Sequence, residues 1–227
     1  MNKVPGTCAW HLGYVVRSIS TSRAVPDTQG VPRSSRVSQP GLIHHVVAHG
    51  VDMRALFSDD LDHGRFVNIL AEVSQIHDWH CLAFCLMTTH YHLLVEERES
   101  PLSKVMHLVN SRYSWHVNAR FARRGHVFEG RYRDRVVTGE PHLLEAIRYI
   151  ARNPCNAGIC SAPEAWRWSS YPALIGVASP WSFVHASRVL AWFAPAREPA
   201  IQCVREFVNK VPGTAPGTLV TRGGTRR

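Results

Sequence analysis

In the run HYHLLVE, His90 and His92 stand two residues apart. Side chains alternate along a strand, so both imidazoles take one face while Tyr91, Leu93 and Val95 take the other. Two imidazoles about 7 Å apart along one strand face can bind a single cation if they converge. A histidine-triad hydrolase would carry a third alternating histidine at position 94, where Leu94 stands. A thiolate zinc site would need paired cysteines, a spacing that Cys81 and Cys85 lack.

A second set lies downstream in LLEAIRYIARNP, where Tyr149 and Asn153 are four residues apart. On a helix they project from the same side, one turn separated. This spacing suits a nucleophile next to a metal ligand, because a phenol can attack a phosphate whose oxygens a cation has relieved of charge. The same spacing also suits a core-facing tyrosine and a helix-ending asparagine, since Pro154 disfavours helical geometry at the residue before it. Spacing alone leaves both readings open.

The elements that must position these residues are legible as patterns. GLIHHVVAHG, bounded by Gly41 and Gly50, predicts a buried strand. Behind Asp59 and Asp60, the apolar residues Phe66, Ile69, Leu70, Val73 and Ile76 recur at helical spacing. CLAFCLM and HYHLLVE, separated by Thr88 and Thr89, predict adjacent antiparallel strands. A long helix is expected from Leu102 to about Ala122, with Gly125 past its end. HVFEGRYRDRVV predicts a basic strand or hairpin, and Pro141 the first turn of a helix that finishes near Pro154. Residues 1–38 lack any sustained period and are expected to form a flexible basic extension. Residues 39–177 are expected to form the main domain, and 178–227 a C-terminal helical extension with a disordered tail.

Across all 227 residues, Lys and Arg number 26 against 17 Asp and Glu, a net charge of +9 that favours a polyanionic partner. Residues 104–152 alone contribute +6 of it. The six cysteines form no CxxC pair and no framework spacing, which predicts unpaired thiols in a reducing compartment. No stretch of about 18 apolar residues is available to span a bilayer, and the N-terminus lacks a secretory apolar core, so a cytoplasmic, nucleoid-associated protein is expected.

The segments GLIHHVVAHG, RALFSDD, HCLAFCLMTTHYHLLVE, SRYSWHVNARFARRGHVFEGRYRDRVV, LLEAIRYIARNPCNAG and WRWSSYPALIG follow one another in this order. Together they resemble the IS200-like transposase domain, and within it the REP-associated tyrosine transposases of the Y1-type HUH family. The resemblance spans roughly residues 36 to 176, and the combination of an HUH strand, a GRY segment and a YIxxNP helix end is far more specific than any one piece.

This resemblance implies an α+β fold, a ferredoxin-like antiparallel sheet with helices packed on one face. It implies metal-dependent cutting and transfer of single-stranded DNA at hairpin-containing repeats through a 5′-phosphotyrosine, in DNA transposition. Carried over by position, Tyr149 is the nucleophile and His90, His92 and Asn153 are the metal ligands. Mg²⁺ or Mn²⁺ is the implied cofactor, since two imidazoles and an amide oxygen leave positions free for phosphate oxygens. The chain departs from the family where Thr88 and Thr89 replace the usual Pro-Asn turn, and where Tyr91 replaces an aliphatic residue between the histidines. Tyr91 and Tyr132 are rival nucleophiles on residue type, although alternation turns Tyr91 away from the imidazoles.

For single-stranded or hairpin DNA, Arg112, Arg120, Arg123, Arg124, Arg131, Arg133, Arg135 and Arg152 are the residues expected to meet phosphates, with Tyr132 or Phe128 stacking on unpaired bases. In an extended segment Arg131, Arg133 and Arg135 share one face. A monomer or a homodimer suits this reading, without a membrane partner. The rival readings are a silent DNA-binding protein of the same fold, and a phosphodiester hydrolase that uses no covalent intermediate.

Overall fold

Alternation of apolar residues and the cap at Asp59 build the first half of the domain as foreseen. The structure is a computed structural model and describes residues 38–210. The expected N-terminal extension, apart from Ser38, and the last part of the C-terminal tail lie outside the described residues.

Strand β1 (Ile43–His49) leads to helix α1 (Asp60–Ile76), strands β2 (Trp79–Leu86) and β3 (His90–Glu97), helix α2 (Leu102–Arg120) and strand β4 (Arg133–Val136). The sheet order is β2-β3-β1-β4, and every neighbouring pair is antiparallel. This order makes the sheet ferredoxin-like. Asp59 caps α1, its carboxylate accepting from the amides of Leu61 and Asp62. After α2 the chain turns through Gly125 at φ 101°, a backbone conformation that costs glycine little. The basic segment is less regular than a hairpin: only four residues form β4, and Phe128 is bridged to Gly50 outside it.

Helix α3 (Gly139–Asn156) finishes near Pro154 as expected, its last turn running two residues past the proline. The proline sits in the final turn, where it removes one amide donor while the amides of Ala157 and Ile159 still reach back to the oxygens of Asn153 and Pro154. Beyond α3 come the short α4 (Tyr171–Leu174), then α5 (Ala186–Ala191) and α6 (Arg197–Asn209).

Both faces of the sheet are covered, rather than the single face expected. On one side α1 and α2 bury Val46, Ala48, Phe84, Leu86, Tyr91, Leu93 and Val95 with Phe66, Leu70, Val109 and Tyr113. On the other, α3 packs over β2 and β3, and Ile147, Ile150 and Ala151 meet Leu82, Cys85 and Leu94. Residues expected in a C-terminal extension complete this second core, with Val189, Leu190, Phe193, Val204 and Val208 all buried in it. α3 does not cover the β1–β4 half of this face, so His45, Val47 and His49 remain only half-buried and Arg133 and Arg135 exposed. Among the described residues no helix is long and apolar enough to cross a membrane.

The end of β1 is pinned at Gly50, whose amide donates to Thr89 O at 2.8 Å, in the turn that launches β3. A Cβ there would fall 2.3 Å from the backbone oxygen of Arg54, which only a backbone shift can relieve. Gly50→Ala is therefore expected to destabilise the fold by roughly 1–3 kcal/mol, the usual cost of forcing an extra methyl into a packed site. Urea unfolding of the variant measures this, and an unchanged midpoint would refute the tight packing argued for the β1 end.

Candidate active site

Antiparallel register, not sequence proximity, assembles the polar cluster. In the β1–β3 pair His49 lies opposite His90, and Val47 opposite His92. The β3 histidines point, as alternation demands, to the face that carries α3. Their ring centroids are 5.0 Å apart and nearly perpendicular. Helix α3 crosses above them and brings Tyr149 and Asn153 down from one side. Asn153 Nδ2 is 3.1 Å from His92 Nε2, and the Tyr149 ring meets the His92 ring edge-on, with centroids 5.4 Å apart. The four residues singled out on spacing thus converge.

Two further histidines join them from β1, and the sequence reading did not select either. His45 Nε2 lies 3.0 Å from His92 Nδ1, and the His45 ring is 5.7 Å from that of Tyr149. His49 stacks on His90 at 5.0 Å. The signal that would have found them is alternation within IHHVVAH, where positions 45 and 49 share a face, combined with antiparallel pairing to HYH.

The cluster is held uncharged. Burial, with help from the neighbouring Arg135 and His142, lowers the pKa of His45 to about 4. Burial and His49 lower that of His90 to about 4. His92 is pushed well below the ordinary histidine value by burial first, then by its three imidazole neighbours. Neutral imidazoles at neutral pH keep a lone pair for a cation. Among the described residues no group of three or more His, Cys, Asp or Glu side chains is arranged to hold a metal ion. The donor set that converges here has another composition: two imidazoles and the amide of Asn153. Thr89 Oγ1 lies 3.2 Å from His90 Nδ1, leaving Nε2 as the free nitrogen of that ring.

The rival tyrosines are removed from this face. Tyr91 is fully buried on the α1–α2 side and donates to Asn110 Oδ1 at 2.7 Å. Burial drives its phenol far above the ordinary tyrosine range. Tyr132 and Phe128, expected to stack on bases, belong to the same opposite core and are buried, so no base can lie flat on either ring.

The arginines divide into two groups. Three are occupied within the fold: Arg112 pairs with Glu72 at 3.1 Å, Arg120 is bound by Asp59 and Asp62, and Arg152 donates to Val208 O at 3.2 Å. These three tie α2 to α1, and α3 to the end of α6. Arg124, Arg131, Arg133 and Arg135 are exposed and Arg123 half-exposed. Arg133 and Arg135 pair in register with Val47 and His45 on β1, which puts them on the face of the histidine cluster.

Residues 38–153 match the family model described as "Transposase IS200 like". No curated protein matches the chain in sequence. Among solved structures, a REP-associated tyrosine transposase bound to a REP hairpin superposes with a TM-score of 0.57 at 11% identity, over 64% of this chain and 86% of that one. At that identity the likeness is one of fold.

Proposed function

Because the chain belongs to the family of IS200-like transposases, we propose that it cuts and rejoins single-stranded DNA at hairpin-bearing repeats, with Tyr149 as the nucleophile. The observation that carries this reading is the convergence of Tyr149 and Asn153 from α3 on His90 and His92 of β3.

In the proposed reaction the Tyr149 phenolic oxygen forms a bond to phosphorus as the bond from phosphorus to the 3′ oxygen breaks. The phenol loses its proton, and the departing 3′ oxygen gains one. The product is a 5′-phosphotyrosine that conserves the energy of the phosphodiester, so the released 3′ hydroxyl can reverse the step and a second 3′ hydroxyl can complete a transfer. His90, His92 and the Asn153 amide would hold Mg²⁺ or Mn²⁺, and their chemistry fits, being neutral nitrogen and oxygen donors of a borderline-hard site. Such a cation would draw charge from the phosphate oxygens and stabilise the leaving oxygen. The protein supplies the rest: α3 fixes the phenol beside the imidazoles.

The partner follows from charge and from the open half of the sheet. Arg133 and Arg135 stand on the floor formed by β1 and β4, and with the exposed Arg124 and Arg131 and the half-exposed Arg123 they offer positive charge to a phosphate backbone. The REP hairpin held by the structural neighbour supports a hairpin as the DNA feature recognised.

The test is incubation of the full chain with single-stranded hairpin DNA from the flanks of its own gene, with Mg²⁺ or Mn²⁺, followed by a denaturing gel. A covalent protein–DNA adduct is expected. Binding without cleavage under either metal would leave a silent DNA-binding protein, and cleavage without an adduct a hydrolase.

A separate prediction concerns the arginines. Each phosphate contact to a single strand contributes about −0.7 to the slope of log affinity against log salt. The double variant Arg133→Gln, Arg135→Gln should therefore flatten that slope by roughly 1.4. Fluorescence anisotropy with a labelled hairpin and EDTA measures it, and an unaltered slope would remove both residues from the interface.

A further inference from the structure

We propose that His45 is a positioning residue, which accepts the Nδ1 proton of His92 and so keeps the Nε2 lone pair of His92 turned toward Asn153. The inference rests on the metal-site reading above.

The argument is one of hydrogen counting. Asn153 Nδ2 faces His92 Nε2 at 3.1 Å, and an amide nitrogen only donates. His92 Nε2 is then the acceptor and carries no proton. A neutral imidazole holds one proton, which must sit on Nδ1. That nitrogen is 3.0 Å from His45 Nε2, which accepts the bond and therefore keeps its own proton on Nδ1. One assignment at Asn153 propagates through two rings.

The consequence is specific to metal binding. A ligating histidine is oriented, and its tautomer fixed, by the partner of its other ring nitrogen. His92 is 4% exposed, so water is a poor substitute for His45. An apolar residue at position 45 would leave the Nδ1 proton with no acceptor and favour the other tautomer, in which a proton sits where a cation needs the lone pair. The Asn153 amide would accommodate that tautomer by turning its oxygen toward His92. His45 belongs to β1 and neither donates to Tyr149 nor replaces a ligand. Its contact with the Tyr149 ring is edge-on.

The experiment uses the ¹⁵N-labelled full chain without metal. Long-range ¹H–¹⁵N correlation reads the tautomer of His92 in the wild type, His45→Leu and His45→Gln, with unfolding curves to establish that each variant is folded. The wild type and His45→Gln, whose amide oxygen can accept the same proton, should carry the proton on Nδ1. His45→Leu should shift it to Nε2. Mn²⁺ titration followed by electron paramagnetic resonance should then show affinity reduced about 10- to 100-fold in His45→Leu, the range for lost support of a ligand, and largely restored in His45→Gln. A wild-type His92 protonated on Nε2, or a folded His45→Leu that binds Mn²⁺ as the wild type does, would overturn the proposal. If the wild type binds no Mn²⁺ at all, the metal-site reading itself fails, and the metal-free tautomer measurement alone decides the role of His45.

Discussion

Tyr149→Phe is expected to abolish the covalent DNA adduct and to lower strand cleavage by at least about 1,000-fold, a loss typical of deleting an activated nucleophile. The substitution removes one oxygen and keeps the ring. The edge-on contacts with His92 and His45, at 5.4 and 5.7 Å between centroids, survive in phenylalanine. Fold, DNA affinity and Mn²⁺ affinity should therefore stay close to those of the wild type, which assigns the loss to chemistry. Neither Tyr91 nor Tyr132 can take over, since both are buried on the opposite face of the sheet. Single-turnover assays of the two proteins with the same hairpin DNA decide the matter. A variant that still cleaves at near wild-type rate would sink the tyrosine mechanism and favour attack by water on a phosphate held at the same histidines.

The second large effect concerns acid. His45 and His90 have pKa values of about 4 in the folded protein, against about 6.5 for an unperturbed histidine in the unfolded chain. Between those values the unfolded state binds more protons than the folded state, so stability rises with pH. It is complete above about pH 6.5, is lost progressively as pH falls toward 4, and changes no further from these two groups below that. Burial is the leading cause at both, with Arg135 and His142 adding to it at His45 and His49 at His90. After allowing for the solvent that reaches the partly open rings, the two together are worth on the order of 4 kcal/mol, a large share of the stability of an ordinary domain. His63, also lowered by burial, acts in the same direction. Urea unfolding at pH 7.5, 6 and 5, above most carboxylate titration, should show a steady fall, and the double variant His45→Gln, His90→Gln should flatten it. A wild-type profile that is level over that range would contradict the neutral, buried cluster.

Period-two alternation alone placed His90 and His92 on one face, and the four-residue interval placed Tyr149 and Asn153 on one side of a helix. Both relations hold because they depend only on backbone geometry within a single element. The Asp59 cap and the order of strands and helices through β4 were legible for the same local reason, and the motif set then pointed to the family. What lay beyond reach was identity across elements. His45 and His49 join the cluster only because the register of β1 on β3 sets them beside His92 and His90. Tyr132 was read as a base-stacking ring, but its turn sends it into the α1–α2 core. Arg112, Arg120 and Arg152 carry the same charge as the exposed arginines, and carboxylates on α1 or a carbonyl at the end of α6 claim them first. Residues after 178 were read as an extension, and they bury their apolar side chains against α3. Local periodicity specifies which way a side chain faces; tertiary packing decides what it faces.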